Sequence, residues 1–255
     1  MDTIISRKNK IVQYLRRLAV DKAFRCQSNE FLCQGSKLLN EALLSGAEIG
    51  TVLYSGDKPA LSSGITAYQV KKDIIDYISP MNNPPEVIFS CSLPKSAGFF
   101  NDGSVIVLEN IQDPGNVGTI MRTAAAFGAV GIVLIGACAD PYGPKAVRAS
   151  MGAVFRLPVF ETNVSGLITY VKENNFTLYT ASLRDNAVDI RDVELPKRCA
   201  VAVGNEGHGL SEELLAAGIL SIKIPITETC ESLNAAAAAA IILWEMSGRG
   251  RRGYG

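Results

Sequence analysis

Val105-Ile106-Val107-Leu108, then Asn110-Ile111-Gln112-Asp113-Pro114-Gly115-Asn116-Val117-Gly118-Thr119-Ile120-Met121-Arg122, then Gly131-Ile132-Val133-Leu134-Ile135 is the stretch on which the fold turns. A continuous apolar run without polar alternation is what a strand needs when helices cover both faces of its sheet. Two such runs separated by a helix-length segment predict parallel strands joined by a crossover helix. Ala200-Val201-Ala202-Val203 is a third run of this kind, and Leu178-Tyr179-Thr180-Ala181 a fourth. The predicted class is therefore α/β, with a mostly parallel sheet and helices on both faces. An alanine-rich helix over residues 235–246 closes this region, before a Gly/Arg tail at 248–255 that is expected to be mobile.

The upstream part reads differently. Between residues 9 and 20 the apolar Ile11, Val12, Leu15 and Leu18 recur at helical spacing with basic residues between them, predicting an amphipathic helix. Residues 34–46 read as a second helix ended by Gly46, and 50–54 as a short strand. Further short strands and helices are expected over 70–78 and 86–90. This predicts a small α/β domain over residues 1–95, a turn-rich linker over 96–104 containing Gly98, Asn101, Asp102 and Gly103, and a second domain over 105–247.

With 255 residues, 47% hydrophobic and 20% charged, the chain can bury two modest cores. No stretch approaches the ~20 consecutive apolar residues of a membrane span, and Met1-Asp2-Thr3 opens no secretion signal, so no membrane partner and a cytoplasmic location are expected. Six cysteines without C-x-x-C spacing and a single histidine, His208, predict reduced packing thiols and no metal site. The formal net charge is zero, so any nucleic-acid affinity must be local. Residues 1–25 supply it: Arg7, Lys8, Lys10, Arg16, Arg17, Lys22 and Arg25 stand against Asp2 and Asp21, a local +5. A solvated helix face is the competing explanation.

Three loops each follow an apolar strand and precede a helix, the place where open α/β sheets hold ligands. In the first, Asn116 is expected to cap a helix starting at Val117 and to project Arg122 about a turn and a half later. Its Gly115-x-x-Gly118 spacing lacks the dinucleotide fingerprint. The second, Gly204-Asn205-Glu206-Gly207-His208-Gly209-Leu210, has three glycines within six residues, which lets backbone approach a ligand. His208, between two glycines, reads as an exposed flexible side chain rather than a general base. The third, Ile224-Pro225-Ile226-Thr227-Glu228-Thr229-Cys230-Glu231-Ser232-Leu233-Asn234, runs into the alanine helix, which Ser232 or Asn234 can cap.

In order and spacing these loops resemble the three motifs of the SpoU-type RNA ribose methyltransferases, the TrmH branch of the SPOUT superfamily. Residues 110–128, 203–210 and 224–244 match motifs one to three, and 140–152 (Asp140 to Gly152) is similar to the segment between the first two. The resemblance implies a deep trefoil knot, an exception to the rule against knotted chains. It also implies a homodimer, ribosomal RNA as the favoured partner, and S-adenosyl-L-methionine bound at Gly204, Ile224 and Leu233, with Asn205 and Leu210 beside them. Residues 1–95 look like an RNA-docking domain similar to ribosomal protein L30e. Arg7, Lys10, Arg16, Arg17 and Arg148 are the expected RNA contacts. The third motif departs from the family pattern at Ile226, Glu228, Ala235 and Ala236, and Glu228 puts a side chain beside the expected cofactor loop.

The implied catalytic set is Arg122, Asn116, Glu206, Ser232 and Asn234. A ribose hydroxyl is a weak acid, and a guanidinium is very hard to deprotonate. Arg122 is therefore expected to stabilise developing alkoxide while a phosphate or water accepts the proton. The competing readings are a non-catalytic RNA-binding or ribosome-assembly factor, a base-directed methyltransferase of the same superfamily, and a transfer-RNA methyltransferase.

Overall fold

A computed structural model describes residues 3–94, 100, 102–227 and 229–248. Glu228, the tail beyond Gly248 and much of the expected linker lie outside them. The chain divides into two compact units, Met1–Lys95 with Asp140–Arg156, and Ser96–Ala139 with Leu157–Gly255. The segment 140–156, which the sequence reading leaves inside the second domain, belongs to the first unit.

The first unit is built on a five-stranded mixed sheet. Its strands are β1 (Thr3–Ile4), β2 (Glu30–Gln34), β3 (Ile49–Tyr54), β4 (Thr66–Val70) and β5 (Val87–Ser92), and its helices α1 (Lys10–Val20), α2 (Lys22–Ser28), α3 (Ser36–Ser45), α4 (Lys72–Ile78) and α6 (Pro144–Ser150). The strand order is β1-β4-β3-β5-β2, with β5 antiparallel to both its neighbours. Asn9 caps α1 by accepting from the Ile11 N–H, so the expected amphipathic helix starts where its first polar residue can satisfy a free donor. Val12, Leu15 and Leu18 are fully buried with Leu32, Ile74, Ile75 and Ile78. Strand alternation sends Phe31 to the opposite face from Leu32, where its ring meets those of Tyr142 and Phe155 at 5.3 and 6.1 Å. The helix expected over 34–46 is shorter: Gln34 ends β2, Gly35 turns the chain at φ +101°, and α3 ends as predicted at Gly46 in the left-handed region.

The second unit carries a seven-stranded, wholly parallel sheet. In chain order its elements are β6 (Val105–Glu109), α5 (Pro114–Phe127), β7 (Gly131–Ile135), β8 (Val159–Thr162), α7 (Val164–Glu173), β9 (Thr177–Ala181), β10 (Val188–Asp189), β11 (Cys199–Val203), α8 (Glu212–Ala217), β12 (Leu220–Lys223) and α9 (Ala235–Met246). The four apolar runs are β6, β7, β9 and β11, and every residue of β6, β7 and β11 is buried, as two covered faces require. Val105, Val107, Val133, Ile135, Ala200 and Ala202 form one face with Leu167 and Tyr170 of α7 and Leu214 of α8. On α5 and α9, Phe127 and Trp244 meet edge to face at 5.5 Å.

The strand order β10-β12-β9-β11-β6-β7-β8 places the site. From β6 the chain crosses through α5 to β7 on one side, whereas from β11 it crosses through α8 toward β12 on the other. The carboxyl ends of β6 and β11 therefore flank a point where the connections diverge, and the cavity described below opens beside it, at the ends of β9, β11 and β12.

Candidate active site

The loop after β6 is anchored by Asn110, whose left-handed backbone, at φ 57°, turns the chain sharply off the strand. Its side-chain oxygen accepts from the Ala137 N–H at 2.8 Å, and its carbonyl accepts from Nδ2 of Asn205 at 3.2 Å. Beneath it lies the buried Glu109, whose two carboxylate oxygens accept from the N–H and the hydroxyl of Ser211, both at 2.7 Å. Ser211 also caps α8. The loops after β6 and β11 are thus tied together below the surface, and Glu109 and Asn110 are support residues that the sequence reading missed. A carboxylate closing an otherwise apolar buried strand was the available signal.

The loop after β11 folds back on itself. Asn205 and Gly209 form an isolated antiparallel bridge, and the Asn205 side chain accepts from the Gly207 N–H at 2.7 Å. A side chain at Gly204 would place its Cβ 2.2 Å from the Gly209 carbonyl carbon, so only glycine fits this crossing.

Asn116 in the first turn of α5, Glu206 in the loop after β11 and Asn234 at the start of α9 meet directly. Oε1 of Glu206 accepts from Asn116 Nδ2 at 2.7 Å, from the Ala235 N–H at 3.1 Å and from Asn234 Nδ2 at 3.4 Å. Asn234 Nδ2 also donates to Asn116 Oδ1 at 3.2 Å. Asn234 caps α9, its Oδ1 accepting from the Ala236 and Ala237 N–H groups. The carboxylate of Glu206 therefore sits against a helix N-terminus, where the dipole favours negative charge. The expected cap at Asn116 is not found: Asp113 caps α5, accepting from the Gly115 N–H with Pro114 at the first helical position. Proline is preorganised for that position, so the helix starts three residues early and leaves the Asn116 amide to Glu206.

Beside this cluster opens a cavity of about 570 Å³. Gly204, Asn205, Leu210, Ile224 and Leu233 all line it, as do Glu206, Ser232 and the exposed His208. Arg122 does not; it is exposed on α5 and has no hydrogen-bond or ion-pair partner among the described residues. Cys138 lies under the first loop with its thiol donating to the Leu108 carbonyl at 3.3 Å, and burial pushes its pKa up, which disfavours the thiolate. All six cysteines are free thiols, and no cluster of metal-ligating side chains occurs among the described residues. Among those residues no helix is long and apolar enough to cross a membrane.

The expected RNA contacts lie in the first unit. Arg7 pairs with Asp73 at 3.2 Å and Arg17 with Asp21 at 3.3 Å, while Arg16 stacks 4.3 Å from the Tyr77 ring centroid and donates to the Tyr77 carbonyl. Lys10 and Arg148 are exposed and have no partner among the described residues.

The profile described as the SpoU rRNA Methylase family matches residues 103–244, more than half of the chain and all three loops. The chain belongs to this family. A second profile, the MRM3-like substrate binding domain, matches residues 9–88. Among family relatives, the 23S rRNA (guanosine(2553)-2′-O)-methyltransferase RlmP of Bacillus subtilis is 31% identical, covering 97% of this chain and 100% of that protein. The 23S rRNA (uridine(2479)-2′-O)-methyltransferase of Streptomyces viridochromogenes is 27% identical over 94% of this chain and 90% of that one. The crystal structure of the AdoMet-bound rRNA methyltransferase from Sinorhizobium meliloti superposes with a TM-score of 0.86 at 29% identity, covering 97% and 98% of the two chains. In this SpoU family member the cluster of Asn116, Glu206 and Asn234 is a structural clamp: it holds the starts of α5 and α9 and the loop after β11 in one register.

Proposed function

We propose that this chain is an S-adenosylmethionine-dependent methyltransferase that methylates a ribose 2′-hydroxyl of ribosomal RNA in the cytoplasm, as a homodimer. The observation that carries the reading is the convergence of Gly204, Asn205, Leu210, Ile224, Ser232 and Leu233 on one cavity at the carboxyl ends of β9, β11 and β12. The names of the full-length relatives support ribosomal RNA and the 2′-oxygen, and the Sinorhizobium meliloti structure supports the cofactor.

The residues present fit such a cofactor. The volume lies within the ~300–1,000 Å³ of small-molecule sites. The Ile226 and Leu233 N–H groups have no acceptor among the described residues, and Leu210, Ala238 and Ile242 supply apolar wall. A flat heterocycle with acceptor nitrogens meets both needs. When bound, the cofactor supplies an electrophilic methyl group on sulfonium sulfur. The protein's part is to hold the hydroxyl in line and to stabilise the charge that develops on its oxygen. Asn116, Glu206 and Asn234 keep the loops in place, and Ser232 on the cavity wall orients the ribose. Arg122, about 9 Å along α5 from Asn116, is assigned the alkoxide. Its exposure and its absence from the wall support a dimer in which Arg122 of one protomer serves the cavity of the other.

Two finer features belong to the same proposal. After β12, outside β9, the chain returns to α9, which packs against β11 and α5, a return across the sheet that supports a trefoil knot. The first unit is assigned the L30e-like RNA-docking role, supported by its profile match.

Purified protein incubated with labelled cofactor and ribosomal RNA should yield one ribose-methylated nucleoside by mass spectrometry after digestion; a methylated base, or no product, overturns the reading. Arg122→Ala should bind cofactor with near-normal affinity yet lose about 10²–10³ in rate, by analogy with oxyanion donors. Equal loss of binding and turnover would make Arg122 structural. Comparing ribose methylation in total RNA from cells with and without the gene locates the nucleotide.

A further inference from the structure

We propose that a second cavity, wholly within the first unit, receives an unstacked nucleotide of the RNA substrate, with its base between Met81 and Met151 and its phosphates on Lys37 and Arg148. The inference rests on the RNA-methyltransferase reading and adds a recognition site to it. The cavity measures about 600 Å³ and opens between the start of α3, the loop before β5 and the end of α6.

Its walls are chemically divided. Leu38, Met81, Pro85 and Met151 provide the apolar surface. Thioethers are polarizable and adapt to irregular surfaces, so Met81 and Met151 can pack against the faces of a base. Lys37 and Arg148 are exposed and have no ion-pair partner among the described residues, whereas the nearby Glu41 is neutralised by Arg156 at 2.6 Å. The lining therefore carries uncompensated positive charge. No side chain caps the first turn of α3, because Gly35 stands at the capping position, so the helix adds a partial positive charge to the same rim.

The rim is also strained. Met151 is 49% exposed at φ 49°, a left-handed conformation that asparagine tolerates but methionine rarely adopts. Gly152 then lets the chain pass Glu41, whose Cβ would lie 2.8 Å from an added side chain. An exposed methionine held out by unfavourable backbone above a cavity points to a ligand contact rather than to packing. A base stacked in a duplex cannot enter a concave site of this kind, so the occupant is a nucleotide from a loop, bulge or single strand.

The test uses the full chain, with a random-sequence 12-nucleotide single-stranded RNA and a duplex of equal length as probes. Binding is read by fluorescence anisotropy across a salt series. Wild type should prefer the single strand by at least about tenfold. The double variant Lys37→Ala, Arg148→Ala should weaken single-strand binding and lower the salt slope by about 1.4, two contacts at about 0.7 each. Met151→Ala should lose the single-strand preference while keeping the slope. Unchanged thermal melting and unchanged cofactor affinity by calorimetry show that each variant is folded. Equal binding of both probes by wild type, no binding of the single strand, or variants that bind as wild type overturn the inference. Methylation of ribosomal RNA by wild type, measured alongside, separates that failure from failure of the enzymatic reading.

Discussion

Two polar clusters illustrate opposite uses of charge. In the first unit Arg25 is buried, with Nε and Nη2 donating to Asp140 and Nη1 donating to the Leu18 carbonyl, and the paired side chains are only 7% and 15% exposed. In the second, the Asn116, Glu206 and Asn234 side chains meet near solvent at the edge of a cavity. The buried pair has surrendered its hydration and depends on complete partnering, so it anchors the 140–156 segment to α2 but is costly to break. The solvent-side cluster is cheap to rearrange, and its value lies in where it puts three loops.

The contrast predicts different responses to mutation. Arg25→Ala leaves Asp140 without its counter-ion and should cost about 3–5 kcal/mol in denaturant unfolding, with cofactor affinity unchanged; a loss under 1 kcal/mol would show that the pair is dispensable. Gly204→Ala forces backbone apart at the loop crossing and should cost about 1–3 kcal/mol, but here cofactor affinity should fall as well, by calorimetry. Affinity unaltered in that variant would mean that the crossing does not shape the cavity. Glu206→Gln keeps an acceptor oxygen and removes the charge at the α9 N-terminus. It should cost about 0.3–1 kcal/mol while reducing turnover more than stability, and a purely structural carboxylate would reverse that order.

The smallest effect concerns a carboxylate outside both clusters. The Arg191 guanidinium beside Asp189, with the Arg191 N–H, holds its carboxyl down at about 2. A depressed folded-state value contributes stability above the ordinary carboxylate range, and that contribution is lost as pH falls from about 4 toward about 2. Arg191→Ala should move the Asp189 titration upward in a carbon-detected NMR experiment. An unmoved titration would assign the shift elsewhere.

Much of the second unit was legible because its strands are buried on both faces. Val105-Ile106-Val107-Leu108 and Gly131-Ile132-Val133-Leu134-Ile135 have no polar position to mislead the reading. The sheet's outer strands were not legible: Val159–Thr162, Val188–Asp189 and Leu220–Lys223 are two to four residues long and partly exposed, so neither length nor alternation marks them. The helix Lys22–Ser28 was missed because it follows α1 after a break of one residue, at Asp21, which caps it through the Phe24 N–H. At the site, the start of α5 was misplaced because two capping residues, Asp113 and Asn116, compete within four positions, and the proline after the first decides between them.

What the sequence determined alone is the alternation of the four buried strands with helices and the position of the three loops, since both follow from burial periodicity and from residues whose backbone preferences are local. Tertiary structure alone decided that Glu206 binds Asn116 and Asn234, that Glu109 braces Ser211, and that residues 140–156 pack with the first unit through Arg25 and Phe31. These are contacts between residues 28 to 115 positions apart, or between segments that burial patterns describe equally well in either unit. Local preference carries no information about which distant partner satisfies a polar group; only the packed chain does.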